Sequence, residues 1–215
     1  MHLIVSDGEL FKTASTLGNV TGHLSLEAFI ETPECQAALT SATVVTNLER
    51  VKEFLSNKTS ELEGLLENDL TNALTHETVN DPIIPDDNNE GMIFSVWAPE
   101  DVEFDFDKTE YYGGSEIGIP FTASVKCEIN YAIEKGDYIC LNEERSSHIS
   151  IGERNDHYFD ADEEIMVGVD GVFSIELPAK KLEDENMTDE DIEDALASGD
   201  TQVEVHETRV TGLAE

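Results

Sequence analysis

Residues 121–133 read FTASVKCEINYAI, and every second residue in this stretch is apolar. A period of two is typical of a β-strand that buries one face and exposes the other. The buried set is predicted to be Phe121, Ala123, Val125, Cys127, Ile129, Tyr131 and Ile133. A strand this long needs partner strands and a second layer that covers its apolar face. The alternation therefore predicts a sheet with one wet face.

Further strands are predicted on both sides of this stretch. Apolar residues alternate with acids over 102–106, and Ile165, Val167 and Val169 occupy every second position over 165–169. Asp170-Gly171 is typical of a two-residue hairpin turn, and apolar residues alternate again over 173–177. Thr188 and Asp191 predict a capping box for a short acidic helix ending at Gly199, and residues 203–205 predict a last strand. We predict the α+β class, with an antiparallel sheet and one short helix in residues 91–215.

The first 77 residues show mainly helical patterns. Residues 2–7 read HLIVSD, which predicts a buried parallel strand, part of a larger sheet, that presents Asp7 at its carboxyl end. Ser25 is a predicted cap for a short helix that stops before Pro33. Apolar residues, all but one of them leucines, recur from 48 to 70 at three- and four-residue steps and multiples of them. They predict a longer helix with a packing face, capped by Asn47 and divided near Ser60.

Residues 78–90 are rich in Pro, Asp and Asn, which disfavour helix and favour turns. We therefore predict a linker over 78–90. It would separate a helical and α/β domain at 1–77 from the antiparallel domain at 91–215.

The chain is extremely acidic, with 48 Asp and Glu against 12 Lys and Arg, a formal net charge of -36 over 215 residues. Hydrophobic residues make up 39% of it, enough for a core, which argues against disorder. Both halves are acidic, which favours adaptation to molar salt, where the Debye length is about 3 Å. The alternative is a nucleic-acid mimic with carboxylates spaced like phosphates. Direct nucleic-acid binding at low salt is disfavoured, because phosphate contacts need Lys and Arg.

No long apolar run occurs in the sequence, so we expect a cytoplasmic protein with no membrane span and no secretory signal. Cys35, Cys127 and Cys140 form no CxxC pair, and we expect them to be buried small hydrophobic residues. Motifs typical of serine hydrolases, dinucleotide-binding proteins, P-loop proteins and zinc proteases are absent from the sequence.

One polar loop deserves comparison with a metal site. Residues 155–158 read NDHY, and His148 lies nine residues before His157. A transition-metal site would need two or three His or Cys side chains to converge, and only these two histidines are near each other in sequence. We therefore predict that Asn155 and Asp156 stabilise a turn through hydrogen bonds.

Two regions resemble a known family. Residues 2–11 (HLIVSDGELF), 19–20 (NV) and 25–31 (SLEAFIE) resemble the closing strand and last helix of the PIN-like branch of the PIN-domain nuclease superfamily. Residues 127–175, with DY at 137–138, ISI at 149–151 and NDHYF at 155–159, resemble the β-rich extension of the same proteins. The resemblance implies an α/β/α sandwich that cleaves RNA with Mg²⁺ or Mn²⁺ held by carboxylates from several strand ends.

Carried over to this chain, the resemblance implies a catalytic and metal-binding role for Asp7 and a metal-binding role for Glu9. No earlier strand in the sequence supplies the other carboxylates. Either the chain is a truncated or split nuclease, or Asp7 is only a turn residue. In both cases we expect no nuclease activity from this chain alone and action through a protein partner, as interaction or regulation. The alternative function is an acidic, salt-adapted interaction protein or nucleic-acid mimic without nuclease ancestry.

Overall fold

The computed structural model describes residues 2–4, 10–12, 16, 20–113, 116–141, 143–177, 179–198 and 200–214. Helices and a mostly antiparallel sheet are both present, which confirms the predicted α+β class. The chain forms two compact units. The N-terminal unit comprises Met1–Arg50 with Lys180–Met187, and the sheet unit comprises Val51–Ala179 with Thr188–Glu215.

The N-terminal unit begins with two short parallel strands, β1 (His2–Ile4) and β2 (Thr21–His23). Helix α1 (Leu26–Ile30) follows, and the Ser25 hydroxyl accepts a hydrogen bond from the Ala28 amide at 3.1 Å. This confirms the predicted cap. Helix α2 (Pro33–Ser56) then starts at the proline, because a first-turn proline has no amide that needs an intrahelical acceptor.

Two N-terminal predictions were wrong, and a third was right in position. Among the described residues β1 pairs only with β2, and it is largely exposed, so no larger sheet buries it. Asn47 lies inside α2, where its side-chain amide donates to the carbonyl oxygens of Leu182 and Asp184 at 2.8 and 2.9 Å. The predicted division near Ser60 is confirmed, because α2 ends at Ser56 and α3 (Thr59–Leu74) begins at Thr59, with Ser60 in its first turn.

The sheet unit holds α3 and the remaining strands. The strands are β3 (Thr78–Asn80), β4 (Glu90–Val96), β5 (Glu100–Phe104), β6 (Glu110–Gly113), β7 (Glu116–Glu134), β8 (Ile149–Glu153), β9 (Tyr158–Glu176) and β10 (Thr201–Leu213). Its short helices are α4 (Lys135–Cys140), α5 (Glu143–Ser146) and α7 (Asp189–Ser198), and a 3₁₀ turn spans Phe106–Lys108. The short helix α6 (Ala179–Leu182) belongs, apart from Ala179, to the N-terminal unit.

The sheet is built on one long antiparallel pair. Strands β7 and β9 pair without interruption from Glu116 opposite Glu176 to Glu134 opposite Tyr158. The main order is β10-β9-β7-β4-β3, with β5 and β6 also paired to β7 and β8 paired to β9. Strand β10 also approaches β3, so the sheet curls, and α3 packs against β10 and β4.

The predicted alternation in β7 is confirmed. Each of its seven odd-numbered positions from 121 to 133 is at most 7% exposed, while the even-numbered positions between them are partly or fully exposed. Helix α3 buries Leu62, Leu66, Leu70 and Leu74 at four-residue steps, so the leucine stripe is a packing face as predicted.

The predicted hairpin at Asp170-Gly171 was wrong, because β9 runs straight through both residues. Gly171 serves a close approach instead of a turn. A Cβ atom there would lie 2.5 Å from the Glu204 carbonyl oxygen on β10 and 3.1 Å from the Phe121 ring. Glycine is therefore the residue that lets β10 and Phe121 pack on either side of the strand.

Several smaller predictions can also be compared with the structure. The capping box of α7 is confirmed, because the Thr188 amide donates to the Asp191 carboxylate at 2.9 Å and the Asp191 amide to the Thr188 hydroxyl at 3.4 Å. Gly199 lies outside the described residues. Strand β10 contains the last strand predicted at 203–205 and extends to Leu213.

The segment predicted as a linker takes part in the sheet. Thr78–Asn80 pairs antiparallel with residues 90–92, and the turn between them is held by backbone hydrogen bonds such as Ile84 amide to Asp81 carbonyl at 2.9 Å. Instead of falling at 78–90, the division between the two units falls after residue 50, since α3 packs on the sheet.

Facing in β7 can be tested by paired substitutions. Ile129 is fully buried, and Glu128 points to the open face. Ile129→Ala removes three buried carbons and should lower the free energy of unfolding by about 2–5 kcal/mol, whereas Glu128→Ala should change it by less than about 0.5 kcal/mol. Urea denaturation measures both. A larger loss for Glu128→Ala would mean that the strand faces the other way.

Candidate functional site

Both predicted site residues, Asp7 and Glu9, lie outside the described residues. The structure does describe the strand just before Asp7 and the neighbours of that strand. His2 Nδ1 and His23 Nε2 are 3.1 Å apart, and the ring centroid of Phe29 lies 5.3 Å from that of His2 and 5.2 Å from that of His23. One imidazole donates to the other, so these two nitrogens satisfy each other.

The described residues offer no ready metal centre. Within them, no group of three or more His, Cys, Asp or Glu side chains is placed to hold a metal ion. Mg²⁺ and Mn²⁺ sites built by proteins draw on several oxygen ligands. Any site at Asp7 and Glu9 would therefore need oxygen ligands from beyond the described part of the chain.

The N-terminal unit leaves many of its large apolar side chains exposed to solvent. Seven of them among the described residues are 37% to 62% exposed, and these are Ile4, Leu10, Leu24, Leu26, Ile30, Leu39 and Val45. Its buried apolar residues in the same description are Leu182 and Met187. This unit thus buries much less apolar surface than the sheet unit, where the odd-numbered face of β7 is fully covered.

The loop at residues 155–158 forms the predicted turn, which among the described residues is stabilised by Asn155 and not by the Asp156 side chain. Asn155 Oδ1 accepts hydrogen bonds from the amides of His157 and Tyr158 at 2.8 and 2.9 Å. The Tyr158 hydroxyl donates to Asp87 Oδ2 at 2.9 Å, and this hydrogen bond raises the pKa of Tyr158. The His157 side chain is exposed and makes no hydrogen bond within the described residues, although its backbone takes part in the turn. The loop is a structural corner.

The expectation for the cysteines holds for one of the three. Cys127 is buried in the inward face of β7, and burial raises the pKa of its thiol to about 12, so the thiol stays protonated. Cys35 is half-buried and Cys140 is exposed, contrary to the expectation. Cys140 lies at the end of α4, beside the exposed Ile139.

A buried polar cluster joins the helical insertion between β7 and β8 to the sheet. Glu163 on β9 is 1% exposed, and its Oε2 atom accepts from the Tyr131 hydroxyl at 2.9 Å and from Arg145 Nη2 at 3.0 Å. Burial is the main cause that raises the pKa of Tyr131, followed by the charge of Glu163. Both partners of the carboxylate are therefore donors with fixed protons.

Sequence analysis missed this cluster, although a signal was present. Glu163 occupies an odd-numbered position on β9, in line with the buried Ala161 and Ile165. An acid at an inward position must find a charged or hydrogen-bonding partner. Arg145 could not be chosen from sequence, because it lies in the short helix α5, outside any regular pattern.

The even-numbered face of β9 carries a row of acids that bears on nucleic-acid mimicry. Asp160, Asp162 and Glu164 point to the same side at a spacing of about 6.7 Å, twice the rise per residue of a strand. Each already has a partner. Arg154 contacts Asp160 at 2.8 Å, Asn130 contacts Asp162 at 2.7 Å, and Lys126 contacts Glu164 at 2.6 Å. A mimic needs such carboxylates free, so this row does not favour mimicry.

A scan of the chain against protein-family models found no match, and searches of curated proteins and of solved structures found none either. The relation to PIN-like proteins therefore stays a prediction. Among the described residues, none of the helices combines the length and the apolar character that crossing a membrane requires.

The buried cluster predicts a large loss of stability when one charge is removed. Arg145→Met leaves the Glu163 carboxylate buried without its cation and should lower the free energy of unfolding by about 3–5 kcal/mol in urea denaturation. Adding Glu163→Leu to that variant should restore most of the loss, since the uncompensated charge is gone.

A matched control is Arg154→Met, which breaks the half-exposed contact with Asp160. It should cost less than about 1 kcal/mol, because solvent screens an exposed ion pair. Equal losses for the Arg145 and Arg154 variants would contradict the assignment of Glu163 as a buried charge.

Proposed function

We propose that this chain is a PIN-like protein that acts by binding another polypeptide. In this proposal the N-terminal unit is the closing part of an α/β domain, and a segment from outside these 215 residues completes it. The sheet unit then serves interaction or regulation. The supporting observations are the exposed apolar side chains of the N-terminal unit and its pair of parallel strands.

Parallel strands support the proposal because of how parallel sheets are normally covered. Strands β1 and β2 pair in register over His2–Ile4 and Thr21–His23, and within the described residues neither has a second strand partner. Parallel sheets occur almost always with both faces covered by helices, and two isolated strands are marginal in water. Further strands beside this pair would extend it into an ordinary parallel sheet.

Apolar exposure gives a second, energetic reason. Burying a leucine or isoleucine side chain contributes about 1.5–3 kcal/mol. The seven exposed apolar residues of the N-terminal unit therefore hold a large unused binding energy. A partner that packs against this unit would gain it, which favours a lasting association over a transient one.

The metal chemistry of the proposal follows from charge. Carboxylates grouped around Mg²⁺ or Mn²⁺ activate a water molecule and stabilise charge that develops on a phosphate. Asp7 lies three residues after the end of β1 in the sequence, and Glu9 lies two residues after Asp7. We propose that both meet further acidic side chains only when the α/β domain is completed. The chain alone would then bind the metal too weakly to cleave RNA.

The alternative is an acidic interaction protein adapted to high salt, with no nuclease ancestry. The net charge of -36 supports it, because self-repulsion of that size is relieved by molar salt. The two proposals differ at Asp7. In the first proposal Asp7 binds the metal once the domain is completed. In the second it only stabilises a turn.

An RNA-cleavage assay tests the leading proposal. The purified chain should show no cleavage that depends on Mg²⁺ or Mn²⁺, and Asp7→Asn should change nothing. Mixed with the polypeptide encoded directly upstream at its own locus, it should cleave RNA, and Asp7→Asn should abolish that activity. The control Asp137→Asn, on the exposed side of α4, should leave the activity of the mixture intact.

Two results would contradict the proposal. Metal-dependent cleavage by the chain alone that Asp7→Asn abolishes would make it a complete enzyme. A mixture that neither associates nor cleaves would favour the acidic interaction protein.

A further inference from the structure

A groove crosses the open face of the sheet unit where β5, β7, β9 and β10 lie side by side. It has a volume of about 280 Å³. The polar side chains that line it include three carboxylates, one guanidinium and three hydroxyls, which belong to Asp101, Asp170, Glu207, Arg209, Thr122, Ser124 and Thr211. Groups of both charges therefore face one small space.

Arg209 has an unusual environment for a cation in so acidic a chain. Within the described part of the chain it makes no hydrogen bond and no ion pair. Six other basic side chains each contact a carboxylate, and they are Lys58, Lys108, Lys126, Lys135, Arg145 and Arg154. With 48 acids and 12 bases in the sequence, an arginine left without a carboxylate is conspicuous.

The backbone of β9 gives this arginine its position. Arg209 on β10 lies opposite Gly168 on β9, which lies opposite Ser124 on β7. A Cβ atom on Gly168 would meet Arg209 Nε at 3.4 Å and Thr211 Cγ2 at 3.1 Å. The arginine side chain therefore lies across β9 at Gly168, beside the groove.

The carboxylates flank this arginine on two sides. Glu207 on β10 lies opposite Asp170 on β9, and Asp170 lies opposite Thr122 on β7. These three residues form a line across the sheet next to the line of Arg209, Gly168 and Ser124. Asp101 comes from the irregular stretch of β5 between Glu100 and Glu103. Among the described residues these three carboxylates form no hydrogen bond or ion pair, so they are available to a ligand.

We propose that this groove binds a free basic amino acid, with Arg209 receiving its carboxylate and Asp101, Asp170 and Glu207 receiving its two ammonium groups. An anion alone would be repelled by three carboxylates, and a simple diamine would leave the guanidinium unused. A basic amino acid carries two positive charges and one negative charge, which complements three carboxylates and one guanidinium. The volume is close to the lower limit of about 300 Å³ for small-molecule sites, which suits a ligand of this size.

The site is independent of the proposed function, since it lies wholly in the sheet unit and uses neither Asp7 nor the exposed N-terminal surface. Failure of the binding experiment below would leave the RNA-cleavage experiment unaffected, and the reverse also holds.

Isothermal titration with three related probes tests the proposal. L-Lysine should bind saturably with one site per chain. Cadaverine lacks the carboxylate, and L-norleucine lacks the side-chain ammonium. The affinity of each should be at least about tenfold lower than that of lysine, because each loses one charged hydrogen-bonded contact.

Variants assign the two halves of the ligand. Arg209→Gln should abolish the preference for lysine over cadaverine, and Asp170→Asn should reduce the preference for lysine over norleucine. The control Arg154→Gln, an arginine outside the groove, should leave both preferences unchanged. Circular dichroism should show that each variant keeps the helical and strand content of the unaltered chain.

The proposal is overturned by any of three results. These are the absence of saturable lysine binding, equal binding of lysine and cadaverine to the unaltered chain, or an unchanged lysine preference in Arg209→Gln.

Discussion

The backbone ladder between β7 and β9 is the interaction on which the rest of the sheet unit depends. Each strand is 19 residues long, and the two pair along their whole length. Strands β4, β5 and β6 add to β7, and β8 and β10 add to β9. Phe104, Phe121 and Phe173 pack together at one end of the pair, and Glu163 meets Arg145 towards the other. The open face of the same ladder holds the groove around Arg209.

The alternation of odd- and even-numbered residues between the two faces of a strand explains which parts of this sheet could be predicted. In β7 the alternation from Phe121 to Ile133 was sufficient, because one face is buried throughout. In β9 the Asp170-Gly171 pair led to the prediction of a turn, although the alternation of apolar residues indicated a continuous strand. A two-residue turn would have put Phe173 on the opposite face from Val169, yet both side chains are buried on one face, as an uninterrupted strand requires. The same alternation could have identified Glu163 as a buried acid, but the sequence analysis did not use it.

Contacts between distant residues could not be predicted in this way. Asn47 was a reasonable helix cap by residue type, but its amide bonds to carbonyls 135 and 137 residues away. The groove needed the register of β10 against β9, which places Arg209 opposite Gly168. The difference in apolar burial between the two units could not be predicted from the sequence either. The sheet unit covers its apolar face, whereas the N-terminal unit exposes side chains that we propose a partner covers.

Amide hydrogen exchange along β9 tests the central claim, that this strand is continuous and lies in the middle of the sheet. The amides of Gly171 and Val172 should exchange as slowly as those of Val167 and of Val125 on β7, because β9 is paired on both sides there. The amide of the exposed Asp156, in the loop before β9, should exchange quickly. Fast exchange confined to Asp170, Gly171 and Val172 would indicate a hairpin turn and contradict this account of the fold.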